Sequence, residues 1–286
     1  MKPQAFDIIA GCLRAGSGLV IGPDKLYLLE ARLGRILKQR GVRDLDALAE
    51  RLAGDRGGAL TREVIEAMTT NESFFFRDDK PFTHFRAHAL PRLLAGRPAN
   101  ATIRIWSAAS SSGQEAYSLA MILAECRAQI GGRSFEIVGT DISREQIMRA
   151  QEGLYTQFEV QRGLPMQMLV RYFKKDGANW RVADALRAAV TFKEWNLLSD
   201  LRGLGQFDVV FCRNVLIYFD QPTKARVLEA VSRQMPADGL LYLGGAETVL
   251  GITDRFVAAP GERGVYELGG KARPAGGGAR VTVAAV

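Results

Sequence analysis

The sequence has 286 residues, 47% hydrophobic and 24% charged, with a formal charge of +7. That size and composition suit a soluble globular protein of one large domain or two smaller ones. They argue against a membrane span, because no apolar run approaches ~18 residues. Secretion is not expected, because Met-Lys-Pro-Gln-Ala-Phe-Asp opens the chain without an apolar stretch. A disulfide framework is not expected either, because Cys12, Cys126 and Cys212 are odd in number and far apart. A reducing cytoplasm is the expected location. His84 and His88 lack the Glu and Cys companions of a metal site, so they read as ordinary helix residues and no metal is expected. The basic charge suits nucleic acid, a membrane surface or an acidic protein partner. Without a zinc finger, an aromatic RNA-binding signature or a polybasic block, it does not choose among them.

Residues 1 to about 90 read as helical. Phe6-Asp-Ile-Ile-Ala-Gly-Cys-Leu starts one helix and Gly16-Ser-Gly18 ends it. After the turn at Gly22-Pro-Asp24, Lys25 to Gly41 is amphipathic, with Leu26, Leu29, Leu33 and Ile36 or Leu37 as a buried stripe. Lys25, Arg32, Arg35 and Lys38 lie largely off that stripe. They are either a solvated face or a docking strip for an acidic helical partner. Asp44–Leu52 and Thr61–Met68 give two further short helices. Met68-Thr-Thr-Asn-Glu-Ser-Phe-Phe-Phe-Arg77 breaks the pattern, and its three phenylalanines suit a segment wedged under a second domain. Pro81–Leu94 reads as the linking helix.

From Thr102 the texture changes to alternating strands and helices, which makes a parallel, doubly wound sheet. The strands are Ile103–Ser107, Phe135–Asp141, Val190–Trp195, Phe207–Cys212 and Leu240–Gly244. A final antiparallel hairpin is possible from Arg255 and from Gly264–Leu268. The first strand runs into a small-residue loop, Ala108–Gly113. The second ends in Asp141, where an acid binds ribose hydroxyls in nucleotide folds. Only Gly113 of a glycine fingerprint is present. Ser143 caps the following helix. Tyr155–Ala189 is too long for an ordinary connection; it holds a helix near Pro165–Tyr172, a strand at Trp180-Arg-Val-Ala and a loop at Lys174–Asn179. At Phe207–Asp220 a buried strand stops at Arg213-Asn214, and Asp220 or Thr223 caps the next helix. Its loop delivers Arg213, Asn214 and Tyr218 to the carboxyl edge of the sheet, where ligands sit in such folds.

Cys-Arg-Asn-Val-Leu-Ile-Tyr-Phe-Asp220 resembles the signature of the chemotaxis receptor methyltransferases, the CheR family. So do Met68–Arg77, Trp106-Ser-Ala-Ala-Ser-Ser-Ser-Gly-Gln-Glu115, Thr140-Asp141-Ile142, Asn196-Leu197-Leu198, Asp238-Gly-Leu-Leu-Tyr-Leu-Gly244 and Glu247. They occur in the family's order over roughly Met68–Leu268. The resemblance implies an α/β fold: a Rossmann-like S-adenosylmethionine methyltransferase sheet at 98–270, with an N-terminal all-helical domain and linker helix at 1–90. It also implies a small β-subdomain inserted at 155–189. A tail at 271–286 is expected to be disordered.

The activity it implies is protein-glutamate O-methylation of chemoreceptors, with S-adenosyl-L-methionine as donor, S-adenosyl-L-homocysteine as product and no metal. The implied partner is the receptor's cytoplasmic helical bundle, a protein and no nucleic acid; a monomer without membrane insertion is expected. Asn71, Ser73 and Arg77 would contact the cofactor, and Asn196 and Leu197 would flank its adenine. Arg213 and Asn214 would line its methionine side, and Glu115 would meet its amino-acid end. Arg77 and Tyr218 would serve catalysis, the first by holding the substrate carboxylate and the second as a wall. Lys25, Arg32, Arg35 and Lys38 would dock the receptor, on a domain separate from the cofactor site. Two features depart from the family: Ser110, Ser112, Gln114 and Ala116 replace its usual loop residues, and the Lys174–Asn179 loop is short beside relatives that bind a receptor tether. A binding module that has lost turnover is the alternative function.

Overall fold

The computed structural model describes residues 1–269; the expectation for 271–286 lies outside the described residues. Four helices come first, α1 (Pro3–Ser17), α2 (Leu26–Arg40), α3 (Leu45–Gly54) and α4 (Ala59–Met68). Asp44 caps α3 by accepting the Ala47 amide, and Gly41 ends α2 in the left-handed conformation that a side chain would resist. Leu29, Leu33 and Ile36 of α2 close a separate core with Ile9, Leu13 and Val64.

The segment after α4 crosses to the second unit. Phe75 is the wedge: it is fully buried, edge-on to Tyr155 and Phe173 at ring-centroid distances of 5.0 and 5.5 Å. Phe76 packs on Phe82, while Phe74 lies under the Arg162 guanidinium at 4.3 Å. The linking helix is α5 (Lys80–His84), a π-helical turn at Phe85–Ala89 and α6 (Leu90–Gly96). Pro91 accounts for the widened turn, since it has no N–H to give the preceding turn and in a regular α-turn its ring would collide with the Ala87 carbonyl. Phe82, Phe85, Leu90 and Leu93 pack in the core of the sheet, not in that of the helical unit.

The sheet region runs β1 (Ile103–Ala108), α7 (Gln114–Glu125), α8 (Arg127–Ile130), β2 (Phe135–Asp141) and α9 (Arg144–Glu152). Next come β3 (Leu154–Thr156), α10 (Gln157–Gln161), α11 (Met166–Tyr172), β4 (Phe173–Asp176), β5 (Asn179–Val182) and α12 (Asp184–Ala188). The chain continues with β6 (Val190–Glu194), β7 (Val209–Cys212), α13 (Gln221–Ser232), β8 (Leu240–Leu243), β9 (Phe256–Ala258) and β10 (Val265–Leu268). Seven strands are ordered β6-β2-β1-β7-β8-β10-β9, parallel except for β10, which is antiparallel to both neighbours. Alternate residues feed the two faces: Ile103, Ile105, Val209 and Phe211 point into one core, Trp106, Val210 and Leu241 into the other. Strand order reverses between β1 and β7, so the crevice that favours ligands lies at their carboxyl ends.

Inside the 155–189 insertion the structure corrects one expectation. Lys174–Asn179 is not a loop but most of a hairpin: β4 and β5 pair antiparallel around Gly177-Ala178, and β3 adds to the other side of β5. The exposed Lys174, Lys175 and Asp176 hide the apolar alternation that marks a strand, as charged residues on a sheet edge do.

Candidate active site

The loop after β1 is built from backbone shape. Ala109 and Ser111 hold left-handed φ values of +59° and +49°, and Gly113 has +93°. Each non-glycine residue held this way costs about 1–3 kcal/mol. Part of the compensation is visible: the Ser111 amide donates to Asp141 Oδ2 at 2.8 Å and its hydroxyl to the Asn71 carbonyl at 2.9 Å. A Cβ on Gly113 would lie 2.9 Å from both Ala150 and Phe192, so this position needs glycine for space as well as for φ. The loop therefore manages with one glycine, because only one position is both left-handed and crowded.

Asp141 closes β2 with a buried carboxylate whose oxygens accept the Ser111 and Ser143 amides, the latter at 2.9 Å. Burial raises its pKa above the ordinary aspartate value, and those amides oppose the rise. Each oxygen keeps a further lone pair for a ligand hydroxyl.

Glu115 stands in the first turn of α7. Its Oε1 accepts the Ser107 hydroxyl at 2.8 Å and its Oε2 pairs with Arg213 Nη1 at 2.9 Å. Burial pushes this carboxyl up while the guanidinium beside it pulls it down. The Arg213 side chain is only 1% exposed, and its other terminal nitrogen holds Asp78 Oδ2 at 2.7 Å and the Arg77 carbonyl at 2.8 Å. Arg213 thus reaches the cleft beside Glu115 with its charge already committed.

The loop behind Arg213 is held by a residue to which the sequence gives no role of its own. Glu247 is buried and accepts five backbone amides. Gly244 and Asn214 donate to Oε2 at 2.7 and 2.8 Å, and Val215, Leu216 and Ile217 to Oε1 at 2.9, 2.7 and 3.3 Å. Asn214 takes φ +59° at the start of this turn. An acid just past a buried strand is the only local signal of the role.

Asn71, Ser73, Arg77, Glu115 and Asp141 line one cleft with Asn196, Leu197, Arg213, Asn214 and Tyr218, in a space of about 1000 Å³ that includes open solvent at the mouth. Arg77 donates to the Glu72 carbonyl at 2.9 Å and lies 5.4 Å from the Phe74 ring centre. The expected separation of cofactor and docking domains does not hold. Ser17, Leu19 and Met68–Thr70 also line the cleft, and Asn196 donates to the Gly16 carbonyl at 2.6 Å. Arg32 is also corrected. It is half-buried and donates to the carbonyls of Met68 and Thr69 at 2.7 and 3.1 Å and to the Thr70 hydroxyl at 3.1 Å. It therefore anchors the segment leading into Asn71, while Lys25, Arg35 and Lys38 are exposed.

Two family models match the chain. The one described as "CheR methyltransferase, SAM binding domain" covers residues 71–265, and "CheR methyltransferase, all-alpha domain" covers residues 4–69. The chain belongs to the CheR methyltransferase family. Curated relatives agree along nearly their whole length. "Chemotaxis protein methyltransferase Cher2" of Pseudomonas putida is 37% identical over 248 residues, covering 85% of this chain and 90% of that protein. "Chemotaxis protein methyltransferase 1" of Pseudomonas aeruginosa is 38% identical over 255 residues, covering 88% and 92%. The protein of the same name in Vibrio cholerae is 36% identical over 260 residues, covering 90% and 93%. Within this CheR chain the junction of the two matches, at residues 69–71, falls on the cleft wall that Arg32 holds.

Proposed function

We propose that this protein uses S-adenosyl-L-methionine to methylate glutamate side chains of chemoreceptors, forming methyl esters during chemotactic adaptation. The reading rests on membership of the CheR family together with one observation: the motif residues converge on a single cleft at the reversal of strand order. The residues present fit the cofactor. Asp141 offers buried acceptors to ribose hydroxyls at the cleft wall, oriented by the Ser111 and Ser143 amides. Glu115 and Asp78 together outnumber Arg213 by one charge, which suits a cationic ligand.

When bound, S-adenosylmethionine supplies a methyl group on positively charged sulfur. The acceptor carboxylate is already ionised near pH 7, so the chain need provide no general base. Arg77, a planar donor at the cleft, holds that carboxylate in line. Tyr218 and the wall at Ser17 and Leu19 narrow the mouth and exclude water, which matters because opposite charges cancel as the methyl moves. Lys25, Arg35 and Lys38 remain as the strip facing an acidic receptor bundle in the cytoplasm.

The test is incubation of the protein with labelled S-adenosylmethionine and receptor membranes. Label released as methanol by mild base supports carboxyl methyl esters. Cofactor binding without transfer would instead leave a module that has lost turnover.

A further inference from the structure

The turn between the phenylalanine wedge and the linking helix is the most strained part of the described chain. Phe76, Asp78 and Asp79 hold φ values of +51°, +68° and +45° within four residues. Such backbone persists only where the surroundings impose it. Here Arg213 does so, because one of its terminal nitrogens donates both to the Arg77 carbonyl and to Asp78 Oδ2, at 2.8 and 2.7 Å. The other donates to Glu115 Oε2 at 2.9 Å. A single buried guanidinium is therefore shared by two carboxylates, one 13% exposed and lining the cleft, the other 49% exposed on its outer side.

We propose that Asp78 is a specificity-determining residue: through Arg213 it leaves Glu115 with uncompensated negative charge, so that the cleft favours the sulfonium donor relative to the neutral thioether product. The proposal rests on the cofactor reading above and deepens it. The charge count gives its sign. With Asp78 the group carries one net negative charge; without it, Arg213 and Glu115 cancel. Donor and product share the same adenosine and amino-acid groups and differ by the methyl and the positive charge on sulfur. A charge lost from the group therefore weakens the donor more than the product. Because Asp78 is half exposed, the effect is screened, to roughly threefold to tenfold in the ratio of affinities.

Asp78→Asn keeps size and the Arg213 hydrogen bond but removes the charge; Asp78→Glu restores the charge. Calorimetry of S-adenosylmethionine and S-adenosylhomocysteine binding is compared for the three proteins at low and high salt. The proposal expects Asp78→Asn to raise the ratio of donor Kd to product Kd at low salt. That change should shrink at high salt and be largely reversed in Asp78→Glu. Equal weakening of both ligands, or an unchanged ratio, would make Asp78 only a support for the turn and overturn the proposal while the cofactor reading stands. A wild-type protein that binds neither compound would overturn both.

Discussion

Replacing Glu247 by glutamine tests whether a buried carboxylate builds the Arg213–Tyr218 loop. Glutamine retains one acceptor oxygen and turns an NH2 group toward amides that are themselves donors. If the retained oxygen takes the Val215, Leu216 and Ile217 amides, those of Asn214 and Gly244 lose their acceptor at 2.8 and 2.7 Å. Hydrogen bonds to a charged group are worth ~1.5–3 kcal/mol each, and the surviving bonds lose their charge assistance. Water reaches the half-buried Asn214 and offsets part of the loss. The net cost is about 3–5 kcal/mol, a large share of the ~5–15 kcal/mol by which a folded protein is usually stable. Urea denaturation measures it as a lowered midpoint at unchanged slope. The loop carries Arg213 and Asn214, so calorimetric affinity for S-adenosylhomocysteine should fall too. A loss below about 0.5 kcal/mol with unchanged affinity would refute the assignment, since ordinary surface substitutions stay within about that range.

Asp141→Ala should weaken S-adenosylmethionine and S-adenosylhomocysteine alike, by about tenfold to a hundredfold for the loss of ~1.5–3 kcal/mol of charge-assisted bonding; unchanged calorimetric affinity removes Asp141 from the site. Because burial raises the Asp141 pKa above 3.8, wild-type affinity should begin to fall at a higher pH than an ordinary aspartate allows, and Asp141→Asn should lack that acid limb. The same raised pKa gives the ligand-free protein a contribution to stability that is present below the unfolded value and lost as pH rises through the folded one, visible in denaturation midpoints compared with Asp141→Asn. Arg77→Ala should cut receptor methylation about a hundredfold, as loss of a positioning group does, with little change in melting temperature; normal turnover with a lowered melting temperature would make Arg77 structural. Arg32→Ala should weaken cofactor binding, whereas Arg35→Glu with Lys38→Glu should leave it intact and reduce both receptor methylation and its salt dependence. Methylation rates against salt that match wild type would make Arg35 and Lys38 a solvated face.

The sheet was legible because its strands are buried on both faces and end in conspicuous polar residues, as Phe135–Asp141 and Val209-Val-Phe-Cys212 before Arg213 do. The small sheet was expected from the family resemblance, but the residues themselves showed a strand only at Trp180, since β3 is three residues long and β4 carries two lysines. The cleft residues at strand ends were readable from position and from the family motifs. Arg32 was misread because helical spacing gives its angle on α2 but not its neighbour; the carbonyls it holds lie 36 and 37 residues away. Ser17 and Leu19 carried no local signal for the same reason: they reach the cleft only through tertiary packing. Ser111 and Ala109 looked like ordinary small residues, because φ is not written in residue type except at glycine.

The most direct measurement is peptide mapping by mass spectrometry of receptor helices treated with the protein and S-adenosylmethionine, wild type beside Arg77→Ala at matched cofactor occupancy. The account predicts single methyl additions on glutamate side chains, lost after mild base and nearly absent with the variant. Methyl groups on any other residue type, or base-stable ones, would contradict it.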